Sequence, residues 1–219
     1  MPIPVLGYWN LRGLAQPIRL LLNYTGTEFE DKRLDFGPAP GYDKSAWLDI
    51  KFNLGLDFPN LPYYDDGDNK VTQSNAILRY IARKHGLVGK SEAEKARVDM
   101  MADQYMDFRN GWIRLCYNSD FVNLKDDYLK ELPKTLQRFS DFLGANPWFA
   151  GKSLSFVDFA MYEMLTQHKM LVPNCLLKME NIQKFLDRFE ALPRIAEYMK
   201  SNKFLKAPIN GLMAKFNNI

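Results

Sequence analysis

The sequence of 219 residues contains few of the side chains that hold metals or form disulfides. Its two cysteines, Cys116 and Cys175, are far apart and form no CxxC pattern, and its two histidines are His85 and His168. So few ligands argue against a zinc site, and the separated cysteines argue against a dithiol redox centre. Free thiols without a disulfide framework are typical of a reducing compartment, so we expect a cytoplasmic protein.

Long apolar runs and clusters of one charge are also missing. No stretch reaches the roughly 18 apolar residues that a membrane-spanning helix needs, and the first residues, MPIPVLGYWNLRG, lack the basic start of a signal peptide. The 29 basic and 26 acidic residues are interspersed and give a formal net charge of +3. No basic run suggests a nucleic-acid surface, so we expect neither a membrane nor a nucleic acid as partner.

The first ninety residues alternate between short β-favouring runs and helical patterns. The strands are expected in VLGYW, FEDKRL, LPYY and KVT, and the helices in LAQPIRLLLNYTG, SAWLDIKF and SNAILRYIARKHG. The first crossover requires two parallel strands, whereas the Asp-Gly turn in DDGDN joins an antiparallel hairpin. This order predicts a small mixed sheet of the thioredoxin-like kind.

After residue 90 glycine becomes sparse, and apolar residues recur at intervals of three and four. Helices are expected from Ser91 to about Cys116 and in DDYLKELPKTLQRFSDFLG, SFVDFAMYEMLTQHKML, NIQKFLDRFEAL and PRIAEYMK. Ser91 with Glu94 predicts a capping box, and Ser155 with Asp158 is a related signal. We therefore expect an α/β domain at residues 1–90, followed by an all-helical domain at residues 91–219.

Pro62 lies inside NLPYY, at the start of a predicted strand, although proline cannot donate a ladder hydrogen bond. A cis bond before it would leave backbone groups of Leu61 free to pair with a peptide laid alongside. The alternative is an ordinary proline that ends a loop.

Gln73, Ser74 and Asn75 follow at the junction between a strand and a helix. Free N–H groups and the positive end of the helix dipole can hold an anion there, such as a carboxylate. Alternatively, Ser74 is simply the N-cap of that helix.

Five stretches together resemble the glutathione transferases, and specifically the mu class, over essentially the whole chain. The general family signal is NLP followed by QSNAI, and the Pro-rich insertion after the second strand is typical of the mu class. The stretches are GYWNLRGLAQPIRLLL, DFGPAPGYDKSAWL, KFNLGLDFPNLPYY, TQSNAILRYIARKH and NPWFAGKSLSFVDF. The resemblance implies a cytosolic homodimer that conjugates glutathione, as a co-substrate, to hydrophobic electrophiles, with no metal and no tightly bound cofactor.

By this resemblance Tyr8, near the end of the first strand, carries the chemistry. The attacking species is a thiolate, and a thiol like that of free cysteine has a pKa of roughly 8.5. A phenol that donates a hydrogen bond to sulfur favours the thiolate, and each unit by which it lowers the pKa requires only about 1.4 kcal/mol. Tyr8 therefore need not accept a proton.

The resemblance also implies a set of glutathione contacts. They are Tyr8, Trp9, Leu14, Lys44, Trp47, Lys51, Asn60, Leu61, Pro62, Gln73, Ser74 and, from the partner subunit, Asp107. Ser74 would hold the γ-glutamyl carboxylate and Asp107 the amino group. Lys44 stands where mu enzymes often carry arginine, so it keeps the charge and loses the bidentate geometry. Without the resemblance, Lys44, Lys51 and Asp107 would be surface charges.

The electrophile is expected to meet Tyr117, whose hydroxyl can assist a leaving group or the opening of an epoxide. The other implied pocket residues are Leu11, Leu14, Met106, Ile113, Asn210 and Gly211, of which Leu14, Met106 and Ile113 could equally be core residues. Asn210 and Gly211 replace the bulkier or hydroxylated residues familiar in the mu class, which predicts a more open pocket. Phe58 would be the key of the dimer interface, with Arg79 beside it.

Three other functions share parts of this pattern. A non-catalytic protein could sequester apolar compounds in the same cleft, although the complete set of site residues argues against it. A thioredoxin-type oxidoreductase would need a cysteine near the Tyr8 turn, and none is there. An isomerase that uses glutathione as a true cofactor would differ only in its substrate.

Overall fold

The computed structural model describes residues 2–217 and begins with a mixed sheet. The elements of this first part are β1 (Val5–Trp9), α1 (Gln16–Thr25), β2 (Glu30–Leu34), α2 (Ser45–Leu48), β3 (Tyr63–Asp65), β4 (Lys70–Thr72) and α3 (Ser74–Lys84). The strand order is β2-β1-β3-β4, with β1 parallel to β2 and the other pairs antiparallel. The predicted mixed sheet is confirmed, because α1 supplies the crossover that a parallel pair requires.

The second part is helical. Its elements are α4 (Glu92–Cys116), α5 (Phe121–Leu143), α6 (Phe156–Leu171), α7 (Glu180–Glu190) and α8 (Pro193–Lys200). The expected fold class, a thioredoxin-like α/β part followed by helices, is therefore confirmed. In the described residues no helix is both long and apolar enough to cross a bilayer.

The peptide bond between Leu61 and Pro62 is cis, the first of the two alternatives, and β3 begins at the next residue, Tyr63. Tyr63 pairs with Gly7 of β1 and with Thr72 of β4. Pro62 thus precedes the ladder, and no strand hydrogen bond is lost to it.

One predicted helix start was wrong. α5 begins at Phe121, five residues before DDYLK, and it continues through Pro133. The Asn118 side chain accepts the Asp120 N–H at 2.9 Å and so orders the turn before the helix. Phe121 lies parallel to Phe216 of the C-terminal tail, with ring centroids 6.5 Å apart. These contacts explain the earlier start, and the one with Phe216 comes from the far end of the chain, where no local sequence pattern could reveal it.

The two predicted capping boxes differ in completeness. Asp158 accepts the Ser155 N–H at 2.8 Å, and the reciprocal bond is also present, so this box is complete. Ser91 accepts the Glu94 N–H at 3.1 Å. The Glu94 carboxylate, however, accepts the N–H of Lys90 at 2.7 Å, one residue before the N-cap, so this box is only half formed.

A buried ion pair joins the two parts of the chain. The Arg12 guanidinium donates to both carboxylate oxygens of Glu163 on α6, at 2.9 and 2.6 Å. Gln167 donates to the same carboxylate at 2.7 Å, and the carbonyl of Lys206 accepts a further Arg12 hydrogen bond at 3.2 Å. The turn after β1 is therefore fixed against α6.

His168 of α6 organises the core between α4 and α6. Its ring stacks on Phe108 at 4.3 Å and lies 4.6 Å from Trp112. Its nitrogens are hydrogen-bonded to the Tyr128 hydroxyl and to the Met164 carbonyl, both at 2.7 Å. Burial lowers the pKa of His168 to about 4, so the ring is neutral at physiological pH.

This burial predicts a pH-dependent stability. Between the ordinary pKa of 6.5 and the folded value of about 4, the unfolded chain binds a proton at His168 that the folded chain does not. The contribution of His168 to stability is therefore complete above pH 6.5 and declines as the pH falls, by up to about 1.4 kcal/mol per unit. Urea denaturation at fixed protein concentration, from pH 7 to pH 4.5, measures the slope.

The matched control is His168→Gln, because other groups titrate in the same range; burial, for example, raises the pKa of Asp158 to about 7. The difference in unfolding free energy between wild type and His168→Gln should shrink toward low pH. His85→Gln should change the slope less, because partial burial also lowers the pKa of His85 but without the full burial of His168. A constant difference across this range would show that His168 does not titrate as its burial requires.

Candidate active site

A cleft of about 400 Å³ opens between the end of β1, the loop after β2, helix α4 and the C-terminal tail. Its walls are formed by Tyr8, Trp9, Leu11, Gly13, Phe36, Lys44, Trp47, Arg109, Ile113, Tyr117, Asn210, Gly211 and Met213. A groove of similar size, about 410 Å³, lies between α1, β2 and α8, where the charged Asp31 is paired with Arg19 and Arg33. Only the first cleft gathers the predicted site residues.

Tyr8 lies on β1 with its side chain buried at the floor of the cleft. Its hydroxyl oxygen accepts the N–H of Leu14 at 3.2 Å. Because a phenol has one proton and this bond uses an acceptor position, the proton remains available to a group in the cleft. Gly13 makes this approach possible, since a Cβ there would lie 2.7 Å from the Tyr8 hydroxyl.

Tyr117 follows α4 and supplies a second hydroxyl to the cleft. It accepts the Gly211 N–H at 2.6 Å, and its side chain remains 41% exposed. Burial of the hydroxyl raises the pKa of Tyr117, and the Gly211 bond only partly offsets this, so the group stays protonated at neutral pH. Both tyrosine hydroxyls thus accept from a backbone N–H and keep a proton to donate.

The cleft brings together some of the residues expected to contact ligands. From the glutathione set it contains Tyr8, Trp9, Lys44 and Trp47, and from the electrophile set Leu11, Ile113, Tyr117, Asn210 and Gly211. Leu14 and Met106 are not in its walls and pack, partly buried, against the core. Leu14 acts here through its backbone N–H instead.

The remaining glutathione-set residues lie outside the cleft walls. Lys51 is one turn beyond Trp47, whose carbonyl accepts its N–H at 2.9 Å. The Leu61 N–H, expected to be free for a ligand, donates to the Asn60 side chain at 2.9 Å. A peptide ligand paired to this N–H would therefore have to displace Asn60. Asp107 is exposed on α4.

The expectation that Ser74 could be the N-cap of α3 is wrong. The N-cap residue is Gln73 rather than Ser74, and its side chain makes no capping hydrogen bond. Ser74 is the first helical residue and is buried. The first-turn N–H groups of α3 thus receive no capping side chain, as an anion site requires.

Asn210 borders the cleft, but its side chain is turned away into the tail. It is only 2% exposed, and its Nδ2 donates to the Phe216 carbonyl at 3.0 Å. Of these two residues, only the glycine can therefore contribute to the expected opening of the wall, because the asparagine side chain is held elsewhere.

Four residues of the cleft were not identified from the sequence, namely Gly13, Phe36, Arg109 and Met213. Phe36 stacks on Trp9 with ring centroids 4.0 Å apart, and Met213 comes from the tail. Arg109 lies one helical turn before Ile113 and two before Tyr117, and it has no ion pair within residues 2–217. The spacing of four residues along α4 is the signal that could have revealed this cation.

Two models of one known protein family match the chain. The family model described as "Glutathione S-transferase, N-terminal domain" matches residues 4–83, and "Glutathione S-transferase, C-terminal domain" matches residues 106–202. The chain belongs to the glutathione S-transferase family.

Several curated relatives of this glutathione S-transferase, at 52–58% identity, are of the mu class. Glutathione S-transferase Mu 5 of Mus musculus is 57% identical over 98% of the chain and 96% of the relative. Mu 3 of Homo sapiens is 58% identical over 98% and 95%, and Mu 1 of Bos taurus is 52% identical over the whole of both. Among solved structures, the glutathione S-transferase Blo t 8 has a TM-score of 0.90 and 34% identity, covering 97% of this chain and 99% of that one.

Gly13 gives a test of how the transferase positions Tyr8. Gly13→Ala should destabilise the fold for two reasons, a left-handed φ of +42° and the clash of the new Cβ with Tyr8 and Leu11, whose nearest atoms would lie 2.7 and 2.6 Å away. Gly86 has a φ of +67° with nothing near its Cβ position, so Gly86→Ala isolates the backbone cost of about 1–2 kcal/mol. Overpacking should add about 1–3 kcal/mol at Gly13, measured by urea denaturation. Equal losses in the two variants would mean that neither Tyr8 nor Leu11 is held against Gly13.

Proposed function

We propose that this glutathione S-transferase conjugates reduced glutathione to hydrophobic electrophiles through a thiolate that Tyr8 stabilises. The observation that carries the proposal is the Tyr8 hydroxyl, which lies in the cleft and accepts the Leu14 N–H. With that acceptor position used, the hydroxyl is oriented as a donor toward the cleft. A sulfur anion is the acceptor that gains most from such a donor, because charged hydrogen bonds are stronger than neutral ones.

The reaction needs no proton transfer to Tyr8. The glutathione thiol loses its proton to solvent on binding, and the thiolate attacks the electrophilic carbon to form a C–S bond. In a displacement, the leaving group departs with the electron pair of the broken bond. The apolar side chains of Leu11, Ile113 and Met213 line the cleft and suit a hydrophobic acceptor.

Arg109 adds a positive charge to the same cleft. With no carboxylate paired to it in residues 2–217, its field favours the thiolate, as Tyr8 does. It also favours acceptors on which negative charge develops during attack. We therefore include Arg109 in the proposed site, although the sequence pattern alone did not suggest it.

Glutathione would extend from Tyr8 toward α3. Its glycyl end would contact Lys44, Trp47, Lys51 and Asn60. Its cysteinyl portion would lie along Trp9, Leu61 and Pro62, and its γ-glutamyl carboxylate would meet Gln73 and Ser74. The uncapped first turn of α3 supports this assignment, because its N–H groups favour an anion. Glutathione enters as a co-substrate, with no separate cofactor, in a cytoplasmic protein whose two domains are residues 1–90 and 91–219.

We further propose a homodimer held by Phe58. This side chain is 77% exposed, and a phenylalanine in that position loses hydrophobic stabilisation unless it is covered. A recess of about 190 Å³ between α4 and α5 is mainly apolar and is lined by Met100, Met101, Gln104, Thr135, Arg138, Phe139 and Phe142. In a two-fold dimer each Phe58 would fill the recess of the other subunit. Asp107 of the partner subunit would then approach the glutathione amino group.

The contacts of Arg79 are consistent with a position near this interface. It lies on α3, is partly exposed, and pairs with Asp99 at 3.2 Å and Asp103 at 3.5 Å on α4. Its guanidinium also lies 5.7 Å from the ring of Phe156. Arg79 therefore braces α3 against α4, whose outer residue Met100 borders the recess.

The role of Tyr8 is tested by Tyr8→Phe, which keeps the ring and removes the donor. The kcat/KM for conjugation of glutathione to chlorodinitrobenzene should fall by about a hundredfold, the lower end expected for a positioned polar group. Tyr24→Phe, on α1 and outside the cleft, is the matched control and should be unchanged. Equal rates for Tyr8→Phe and wild type would remove Tyr8 from the mechanism. Glutathione binding without turnover on several acceptors would favour a sequestering protein.

The dimer is tested by Phe58→Ala, measured by sedimentation velocity over a range of protein concentrations. Loss of the buried ring should weaken association by about 3–5 kcal/mol and shift the protein toward monomer. Val122→Ala is the control, because Val122 is equally exposed, at 77%, but lies at the start of α5, outside the recess. The proposed role of Phe58 would be refuted if the wild type were a monomer, or if Phe58→Ala formed a dimer with unchanged affinity.

A further inference from the structure

The C-terminal tail, residues 208–217, contains a set of hydrogen bonds that the proposed chemistry does not use. The Asn210 N–H donates to Asn217 Oδ1 at 2.8 Å, and Asn217 Nδ2 donates to the Gly211 carbonyl at 3.2 Å. Asn210 Nδ2 donates to the Phe216 carbonyl at 3.0 Å. Two carboxamide side chains thus close the tail into a loop.

This loop contacts the backbone around both hydroxyls of the cleft. The carbonyls of Pro208 and Ile209 accept the N–H groups of Arg12 and Gly13, at 2.9 and 3.1 Å. Two residues further on, the Gly211 N–H donates to the Tyr117 hydroxyl at 2.6 Å. A single short segment therefore joins the turn next to Tyr8 to the hydroxyl of Tyr117.

The loop is anchored by apolar contacts as well as by the asparagines. Ile209 is fully buried, and the ring of Phe216 meets Trp112 edge to face at 5.6 Å. The Lys215 N–H donates to the Cys116 carbonyl at 2.7 Å. Because these anchors do not depend on the carboxamides, loss of one asparagine should loosen the loop locally and leave the tail in place.

We propose that Asn210 and Asn217 are positioning residues, whose carboxamides hold the tail loop so that the Gly211 N–H orients the Tyr117 hydroxyl as a proton donor to the electrophile. The inference rests on the proposed function, since it assigns residues that act on the same site. It applies to electrophiles whose leaving atom is an oxygen and remains in the product.

The chemistry separates two classes of acceptor. When the thiolate attacks an epoxide carbon, the C–S bond forms, the C–O bond breaks, and the oxygen keeps the electron pair. That alkoxide takes the proton of Tyr117, and the phenolate is reprotonated from solvent. When the thiolate displaces chloride from an aromatic ring, chloride leaves with its electron pair and needs no proton. Only the first class depends on the orientation of Tyr117.

The test is a double-mutant cycle with Asn217→Ala and Tyr117→Phe, assayed on an aryl epoxide and on chlorodinitrobenzene. Asn217 is partly exposed near the chain end, so the variant should fold, which its Tm checks. The variant removes the two Asn217 hydrogen bonds that hold the loop, so the Gly211 N–H should orient the Tyr117 hydroxyl less well and kcat for the epoxide should fall by about tenfold. Turnover of chlorodinitrobenzene and the KM for glutathione should change less than about twofold, below the cost of one hydrogen bond.

In the Tyr117→Phe background, Asn217→Ala should have no further effect on either acceptor. Gly211→Ala would place a Cβ 2.9 Å from the Tyr117 hydroxyl and also narrow the wall that both acceptors meet, so it should lower turnover of both acceptors, and that of the epoxide more. Lys215→Ala, whose side chain is exposed in the same loop, is the control and should match wild type.

Two results would overturn the inference while leaving the proposed function intact. One is an equal loss on both acceptors, which would mean a general structural effect. The other is an undiminished effect of Asn217→Ala when Tyr117 is already phenylalanine. If instead the wild type conjugates neither acceptor, the proposed function itself fails, and the inference fails with it.

Discussion

The buried contact between Arg12 and Glu163 is the constraint on which the geometry of the site depends. Burial alone would lower the pKa of Arg12, but the carboxylate of Glu163 raises it above its ordinary value, so the guanidinium stays charged. Such a pair adds little net stability compared with apolar residues, yet removal of one partner strands a charge at a cost of about 3–5 kcal/mol. Arg12 lies in the turn between Tyr8 and Leu14, and this pair therefore fixes that turn against α6.

The two tyrosines of the cleft share one arrangement despite their different origins. Tyr8 comes from the sheet and accepts from Leu14, whereas Tyr117 follows α4 and accepts from Gly211. In each case a backbone N–H occupies an acceptor position and the proton is left for a ligand. A neighbouring glycine leaves room for each hydroxyl, because a Cβ at Gly13 or Gly211 would collide with it. Backbone groups thus orient both donors, and they do so without charged side chains.

Much of the fold could be predicted because its signals are local. The short β-favouring runs, the turn in DDGDN and the box formed by Ser155 and Asp158 each act over a few residues, and the structure contains all of them. Features set by distant contacts were missed. The start of α5 depends on the tail, and the role of Asn210 depends on residues six and seven positions later that its type does not reveal. Arg109 is recognisable only when α4 is seen to face the cleft.

The central claim is that the Tyr8 hydroxyl holds glutathione as a thiolate. The most direct measurement is an ultraviolet titration of the thiolate of glutathione bound to the wild-type protein, compared with free glutathione. If Tyr8 stabilises the anion as proposed, the bound thiol should titrate about two units below the roughly 8.5 of a free thiol. A bound thiol that titrates at the same pH as free glutathione would contradict the account.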